Sequence, residues 1–207
     1  MVEIDPWLIN PFFFFFFDVD FEAGTGLDGL MATVDTILAK IRKKYKEYGI
    51  KDKPFVIVKA DAGTCGMGIM TVRDSREVRD LNSKQRNKMT VVKDGREVHD
   101  YIVQEGVYTF EQIEESVAEP VVYMIDRYVV GGFYRVHQDR GVDENLNAPG
   151  MEFVPLAFAQ QHAVPDMRAK PGTAAPNRFY MYGVVARLAL LAASLELEKT
   201  DPNPEIY

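Results

Sequence analysis

Leu27, Leu30, Met31, Val34, Ile37, Leu38, Ile41, Tyr45 and Tyr48 recur at three- and four-residue spacing, with polar residues between them. One face of a 3.6-residue repeat is therefore apolar, which predicts an amphipathic helix over 27–48, stopped by Gly49. Apolar runs at 55–59 and 69–73, rich in β-branched residues, predict strands on either side of a glycine-containing loop. Asp74 with Glu77 three residues later has a capping-box pattern and predicts a helix over roughly 75–88. Tyr101-Ile102-Val103 reads as a short strand. Thr109 with Gln112 repeats the capping pattern, which predicts a helix to about Ala118, ended by Pro120. Val121–Val130 and Phe133–His137 read as two strands joined by a tight turn at Gly131-Gly132.

Residues 138–152, rich in Asp, Asn, Gly and Pro, read as loop, and 163–177, with three prolines, as irregular chain. A last helix is expected over 178–197, with Val184, Val185, Leu188, Leu191, Ala192 and Leu195 on its apolar face. The tail 201–207 is expected to fray. Phe12 to Phe17 are six identical residues, so no face can be read from them; a run this apolar is expected to be a core strand.

Composition adds a class. With 47% hydrophobic and 27% charged residues among 207, the chain reads as a soluble globular protein of one domain or slightly more. A single cysteine, Cys65, excludes an internal disulfide framework and points to a reducing, cytoplasmic setting. The Phe run is too short to span a bilayer and lacks the flanks of a signal peptide, so no membrane association is expected. The net charge of −7 is unevenly spread: residues 40–96 hold 16 of the 24 Lys and Arg against seven acids. A basic lobe of that kind suits a polyphosphate ligand, or is simply two solvated helix faces. Overall acidity without interleaved aromatic and basic residues argues against nucleic acid.

Val56-Ile57-Val58-Lys59-Ala60-Asp61-Ala62-Gly63-Thr64-Cys65-Gly66-Met67-Gly68 places a lysine at the end of an apolar strand and three glycines after it. A Walker loop needs Gly-Lys-Ser or Gly-Lys-Thr opening a helix, and a dinucleotide fingerprint also needs a helix after its glycines; neither fits. The pattern suits a strand-loop-strand hairpin whose amides at Gly63, Gly66 and Gly68 fold over phosphates while Lys59 points at them. An ordinary glycine-containing hairpin with an ion-paired lysine would read the same way.

A second constellation lies downstream: Tyr123-Met124-Ile125-Asp126-Arg127-Tyr128-Val129-Val130-Gly131-Gly132-Phe133-Tyr134-Arg135-Val136-His137, followed by Asp143-Glu144-Asn145-Leu146-Asn147-Ala148-Pro149-Gly150. In order and content these blocks resemble the ATP-grasp superfamily. With Lys59-Ala60-Asp61-Ala62-Gly63-Thr64, Val103 to Thr109 and Ala118 to Tyr128, they look like the ATP-grasp-type bacterial glutamate-cysteine ligase family over about residues 30–200. That family is about twice as long, so the chain looks like its C-terminal half.

The resemblance implies an α+β, ATP-grasp-like fold of antiparallel sheets with packed helices, incomplete relative to the full family. It divides the chain into a 1–50 remnant of a larger domain, a 51–200 nucleotide-binding region and a 201–207 tail. The implied reaction is ATP-dependent joining of the glutamate γ-carboxylate to the cysteine amine through an acyl phosphate, the first step of glutathione synthesis. Lys59, Gly63, Thr64, Gly66 and Gly68 would hold ATP with a hinge at Asp126, Tyr128 and Val129, while Arg127, Arg135 and Asn145 would serve catalysis. Such chemistry needs charge neutralisation and positioning more than a nucleophile. The histidines His99, His137 and His162 lack zinc spacing. For Mg²⁺ the expected Glu-x-Asn pattern has no clean copy; Asp18 and Asp20, two apart on an expected strand, and Glu144 are the candidates. The partners implied are glutamate, cysteine and ATP, with a homo-oligomer or a missing N-terminal half as protein partners. A glutathione-synthetase-like or RimK-like amino-acid ligase, or an inactive nucleotide-binding remnant, are the alternative readings.

Overall fold

The computed structural model describes residues 5–61, 68–90, 97–156 and 178–202, the side chains of 178 and 179 excepted. The elements form two compact units, one of residues 1–109 with 140–149, the other of 110–139 with 150–207. Each is built on a four-stranded antiparallel sheet, so the fold is α+β.

In the first unit, strands β1 (Phe13–Phe16), β2 (Val56–Ala60), β3 (Ile69–Val72) and β4 (Tyr101–Glu105) lie in the order β1-β4-β2-β3. Helix α1 (Leu27–Tyr48) has the expected span, and Gly49 ends it with φ +67°, its N–H bonded to the Tyr45 carbonyl. Its apolar stripe of Leu30, Val34, Ile37, Leu38 and Ile41 is fully buried with Val56, Val58, Val103 and Tyr101. Strand alternation puts those sheet residues on one face and Ile57, Lys59, Ile102 and Gln104 on the other. The division expected at residue 50 runs through this unit, since β1 and α1 share its sheet and core.

The buried Glu105 carboxylate is satisfied by the Trp7 indole N–H at 2.9 Å and the Phe12 N–H at 3.0 Å. Nearby, Lys44 and then the Tyr48 hydroxyl and the Trp7 N–H donate to Asp5 and hold its carboxyl down at about 2. A carboxyl depressed by folding contributes stability that is complete above its unfolded value of about 3.9 and lost as pH falls toward the folded one. Asp5→Asn is therefore expected to be less stable than the parent at neutral pH, with the gap closing between about pH 4 and 2. A gap in thermal unfolding that ignores pH would leave this ion pair without a role.

The Phe run is not a core strand. Among the described residues β1 is an edge strand paired only with β4, and Phe13, Phe14, Phe15 and Phe17 are 46–58% exposed. Only Phe12 and Phe16 pack against the core, Phe16 fitting over Gly29 of α1, where an added Cβ would come within 2.6 Å of the ring. The Lys40 ammonium sits 5.2 Å from the Phe14 ring centroid, a charge placed over an otherwise bare edge.

The helix expected at 75–88 is split. A 3-10 turn at Ser75–Val78 is capped by Asp74, whose carboxylate accepts the Arg76 N–H at 3.0 Å. Helix α2 (Ser83–Thr90) then starts afresh on a reciprocal capping box: Gln85 N–H to Asn82 Oδ1 at 3.0 Å and Asn82 N–H to Gln85 Oε1 at 2.9 Å. Asn82→Ala should cost about 1 kcal/mol in urea unfolding, and a loss confined to a few tenths would mean that packing alone holds this helix.

In the second unit, the helix expected over 109–118 is absent. β5 (Gln112–Ile113) and β6 (Ser116–Ile125) form a hairpin there, with Glu114 at φ +55°. Val117 and Ala118 bury themselves in the sheet, so cross-strand packing overrides the local capping pattern. β7 (Tyr128–His137) continues from a turn at Asp126-Arg127, with Ile125 opposite Tyr128, and β8 (Glu152–Pro155) pairs along β7. The tight turn is thus not at Gly131-Gly132. Asp126 takes the left-handed conformation the turn needs, at φ +52°, and Gly132 is a strand position in close contact with β6.

Helix α3 (Arg178–Thr200) covers the expected span and three residues more. Its first turns join a small core of Ala118, Tyr134, Val136 and Leu156 through the buried Tyr182. The apolar face expected on this helix is largely open to solvent, with Leu188 60% exposed and Leu191 57%. By length and composition Tyr180–Thr200 could also cross a membrane. The stretches expected to be irregular at 163–177 and frayed at 203–207 lie outside the described residues.

Candidate functional site

β2 and β3 form the expected hairpin, with Lys59 opposite Ile69, and the strand period turns Lys59 away from the α1 core. Its Nζ donates to Gln104 Oε1 at 2.9 Å, across to the neighbouring strand. Gln104 is neutral, so the lysine keeps its net charge for an anion. Of the loop residues, Gly63, Thr64 and Gly66 lie outside the described residues, as does Cys65. Gly68 closes the hairpin at φ +63°: its carbonyl accepts the Ala60 N–H at 2.8 Å, and an added Cβ would meet Ala60 Cβ at 2.9 Å.

The expected loop after β7 belongs to the first unit. Leu146, 1% exposed, anchors it, and Asn145 Oδ1 accepts the Asn147 N–H at 3.0 Å in an Asx turn. Glu144 accepts the Gly141 N–H at 2.7 Å and pairs with Arg140 at 2.8 Å. This loop, the end of β3 and α2 enclose a cleft of about 870 Å³. It brings Glu144 and Asn145 together with Arg73, Arg140 and Lys88, three cations that the motifs did not single out. Arg73 is ion-paired with Asp143, which fixes the loop to β3. Lys88 has no ion-pair partner among the described residues and is the cation of this cleft available to a ligand. A signal for these residues did exist: Arg73 sits at the end of the strand that follows the glycine loop, and Lys88 on the helix after it.

The second unit carries the remaining expected residues. Arg135 sits on β7 opposite Glu119 of β6, with Nη1 2.5 Å from Glu119 Oε1. Its Nε is buried without a hydrogen-bond partner among the described residues. A buried donor left open in this way is costly and suits an anionic ligand. Asp126 and Arg127 form the exposed hairpin tip, 72% and 70% exposed at their side chains, and the Arg127 guanidinium stacks 5.5 Å from the Tyr128 ring centroid. Val129 is half-buried on β7, where a Cβ on Gly183 of α3 would come within 3.4 Å of it. The Tyr182 hydroxyl donates to Glu111 at 2.6 Å; burial first, then that bond, pushes its pKa well up.

The metal candidates are not arranged as expected. β1 ends at Phe16 and Asp18 takes φ +59°, so Asp18 and Asp20 are not two positions of one strand face. Asp20 instead folds its own turn, accepting the Glu22 and Ala23 N–H groups at 2.8 and 2.9 Å, bonds that hold its pKa below the usual carboxylate range. Among the described residues no group of three His, Cys, Asp or Glu side chains could hold a metal ion.

Comparison with known proteins gives the surroundings of these residues. A family model described as glutamate-cysteine ligase matches residues 1–197. The crystal structure of a protein from Methylobacillus flagellatus KT, designated a gamma-glutamylcysteine synthetase, superposes with a TM-score of 0.79 at 64% sequence identity. The match covers 96% of this chain and 46% of that one, so the chain spans about half the length of the solved structure it matches. No curated protein matches. A family model that takes in nearly the whole chain leaves one assignment: the chain belongs to the glutamate-cysteine ligase family.

Proposed function

We propose that the chain is the nucleotide-binding part of an ATP-grasp-type ligase that joins the γ-carboxylate of glutamate to the amine of cysteine. The observation that carries this reading is the glutamate-cysteine ligase match over residues 1–197. In the reaction a glutamate γ-carboxylate oxygen attacks the γ-phosphorus of ATP, forming an acyl phosphate and releasing ADP. The neutral cysteine amine attacks the acyl carbon; the C–N bond forms, the C–O bond to phosphate breaks with its electron pair leaving on phosphate, and the nitrogen gives up its extra proton to the departing phosphate.

Both steps move negative charge between oxygens, so fixed positive charge is the main contribution a protein can make. Lys59, whose hydrogen-bond partner among the described residues is a neutral amide, would receive the ATP phosphates. Arg135, held in place by Glu119 yet with an open Nε, would face the transferring phosphoryl group, with Arg127 as a second cation. Asn145 would direct its loop toward the phosphates, and Asp126, Tyr128 and Val129 would contact the adenine. Mg²⁺ would enter with the nucleotide as its counter-ion, and no described residue is assigned to it.

The test is ADP release with glutamate plus cysteine against glutamate with other amino acids, in a full-length protein that contains this chain. Release that depends on that pair is expected. Release that depends on another pair would move the chain to a glutathione-synthetase-like or RimK-like specificity. The partial span of the longer relative favours one second reading, that this chain by itself binds ATP without turning it over. It predicts that ATP raises the melting temperature of the isolated chain while no amino-acid pair releases phosphate.

A further inference from the structure

Only the first turns of α3 touch the second unit's core, through Tyr182 and its bonds to Glu111 and Tyr134. From residue 187 to 200 every position is exposed. Leu188, Leu190, Leu191, Leu195 and Leu197 are 60, 48, 57, 49 and 71% exposed. At about 100° per residue, Leu188, Leu191 and Leu195 share one side, and Leu190 and Leu197 lie roughly 140° away. A helix apolar on two opposed sides belongs inside a larger core or a bilayer, not on a water-facing surface.

Two occupants fit poorly. The stretch Tyr180–Thr200, apolar enough to cross a bilayer, carries Arg187 and Glu196 within it, and its Tyr182 is already buried in the second unit's own core against Glu111 and Tyr134, which suits a bilayer poorly. A second copy of the chain joined along a two-stranded seam would cover one row of leucines and leave the other bare. The solved relative, in contrast, holds more than half its length outside the matched region while matching 96% of this chain. We propose that the α3 leucines are the docking surface for polypeptide equivalent to that unmatched part of the longer relative, which closes over both sides of the helix. This rests on the family match and is independent of the catalytic assignments.

The test compares hydrogen exchange of α3 in the 207-residue chain alone, in the chain co-expressed with the unmatched part of the Methylobacillus flagellatus protein, and in a single-chain chimera of the two. Expected are fast exchange over 188–197 in the chain alone and strong protection in both larger formats. Leu188→Glu with Leu191→Glu, and separately Leu190→Glu with Leu197→Glu, should each weaken the co-expressed complex at least tenfold. Because these side chains are exposed in the free chain, its own melting temperature should not move. Protection of α3 in the monomeric chain alone, or its loss of exchange only in a homodimer, would overturn the proposal. So would protection only on phosphatidylcholine vesicles, a complex indifferent to either pair of substitutions, or no protection in both larger formats.

Discussion

Lys59→Ala is expected to lower the affinity of the protein for ATP by roughly 10- to 100-fold, the span of a charge-assisted hydrogen bond lost from a phosphate. Its thermal unfolding should be unchanged. The two expectations have separate physical causes. Lys59 faces away from the α1 core, and its one described hydrogen bond is to the neutral Gln104, so folding uses little of its charge. An ammonium whose nearest partner carries no countercharge is free to meet a polyphosphate. Lys59→Arg should recover part of the affinity, because the charge returns with a different shape. Gln104→Ala should leave affinity within a few-fold, because it removes the tether and keeps the charge. Titration of each variant with ATP, by calorimetry, reads all three. An unchanged affinity in Lys59→Ala would remove the lysine from the nucleotide site.

The parts of the fold legible in the sequence are those whose signal is local. The α1 stripe repeats over 22 residues and ends at a glycine that needs positive φ, so both its span and its stop could be read. The β2-β3 hairpin was legible because two apolar runs flank its loop. Other features depend on partners far away in the chain. Whether Phe13 to Phe16 are core or edge is decided by strand order, and among the described residues β1 has β4 on one side and no strand on the other. Whether Gln112 to Ala118 coils or extends is decided by β7, which Val117 meets at His137.

The same division runs through the candidate site. Lys59 could be placed by the strand period alone, while its partner Gln104 is 45 residues distant. Arg135 could be placed on a strand, but its counter-ion depends on where the hairpin turns. A turn at Gly131-Gly132 would set Arg135 across from Tyr128, whereas the turn at Asp126-Arg127 sets it across from Glu119. One misread turn therefore hides the ion pair that positions the arginine. The cations of the cleft, Arg73, Lys88 and Arg140, were hidden for a related reason, because a loop 67 residues after Arg73 completes the wall they share.

That turn has its own energetic signature in Gly132→Ala, which is expected to destabilise the second unit by about 1–3 kcal/mol, the usual range for overpacking a filled site. A Cβ at Gly132 would stand 2.4 Å from the Val121 carbonyl oxygen and 2.5 Å from Leu156 Cδ1. Neither neighbour can retreat cheaply. The carbonyl belongs to β6, paired with β7 on both sides of this point, and Leu156 is 3% exposed with its N–H bonded to the Gly132 carbonyl at 3.2 Å. The adjacent Gly131 supplies the control: a Cβ there meets nothing nearer than the Tyr123 ring edge at 3.8 Å, an ordinary contact. Gly131→Ala should therefore stay within about 0.5 kcal/mol of the parent, or gain slightly from the lower entropy of its unfolded chain. Urea unfolding of the two variants, with hydrogen exchange along β6 and β7 to assign the loss, separates the cases. Equal damage from both substitutions would mean that the two glycines are needed together as a turn and that the strands are not paired across Gly132. Damage at Gly132 alone follows from a strand pressed against its neighbour, the same register that sets Arg135 opposite Glu119.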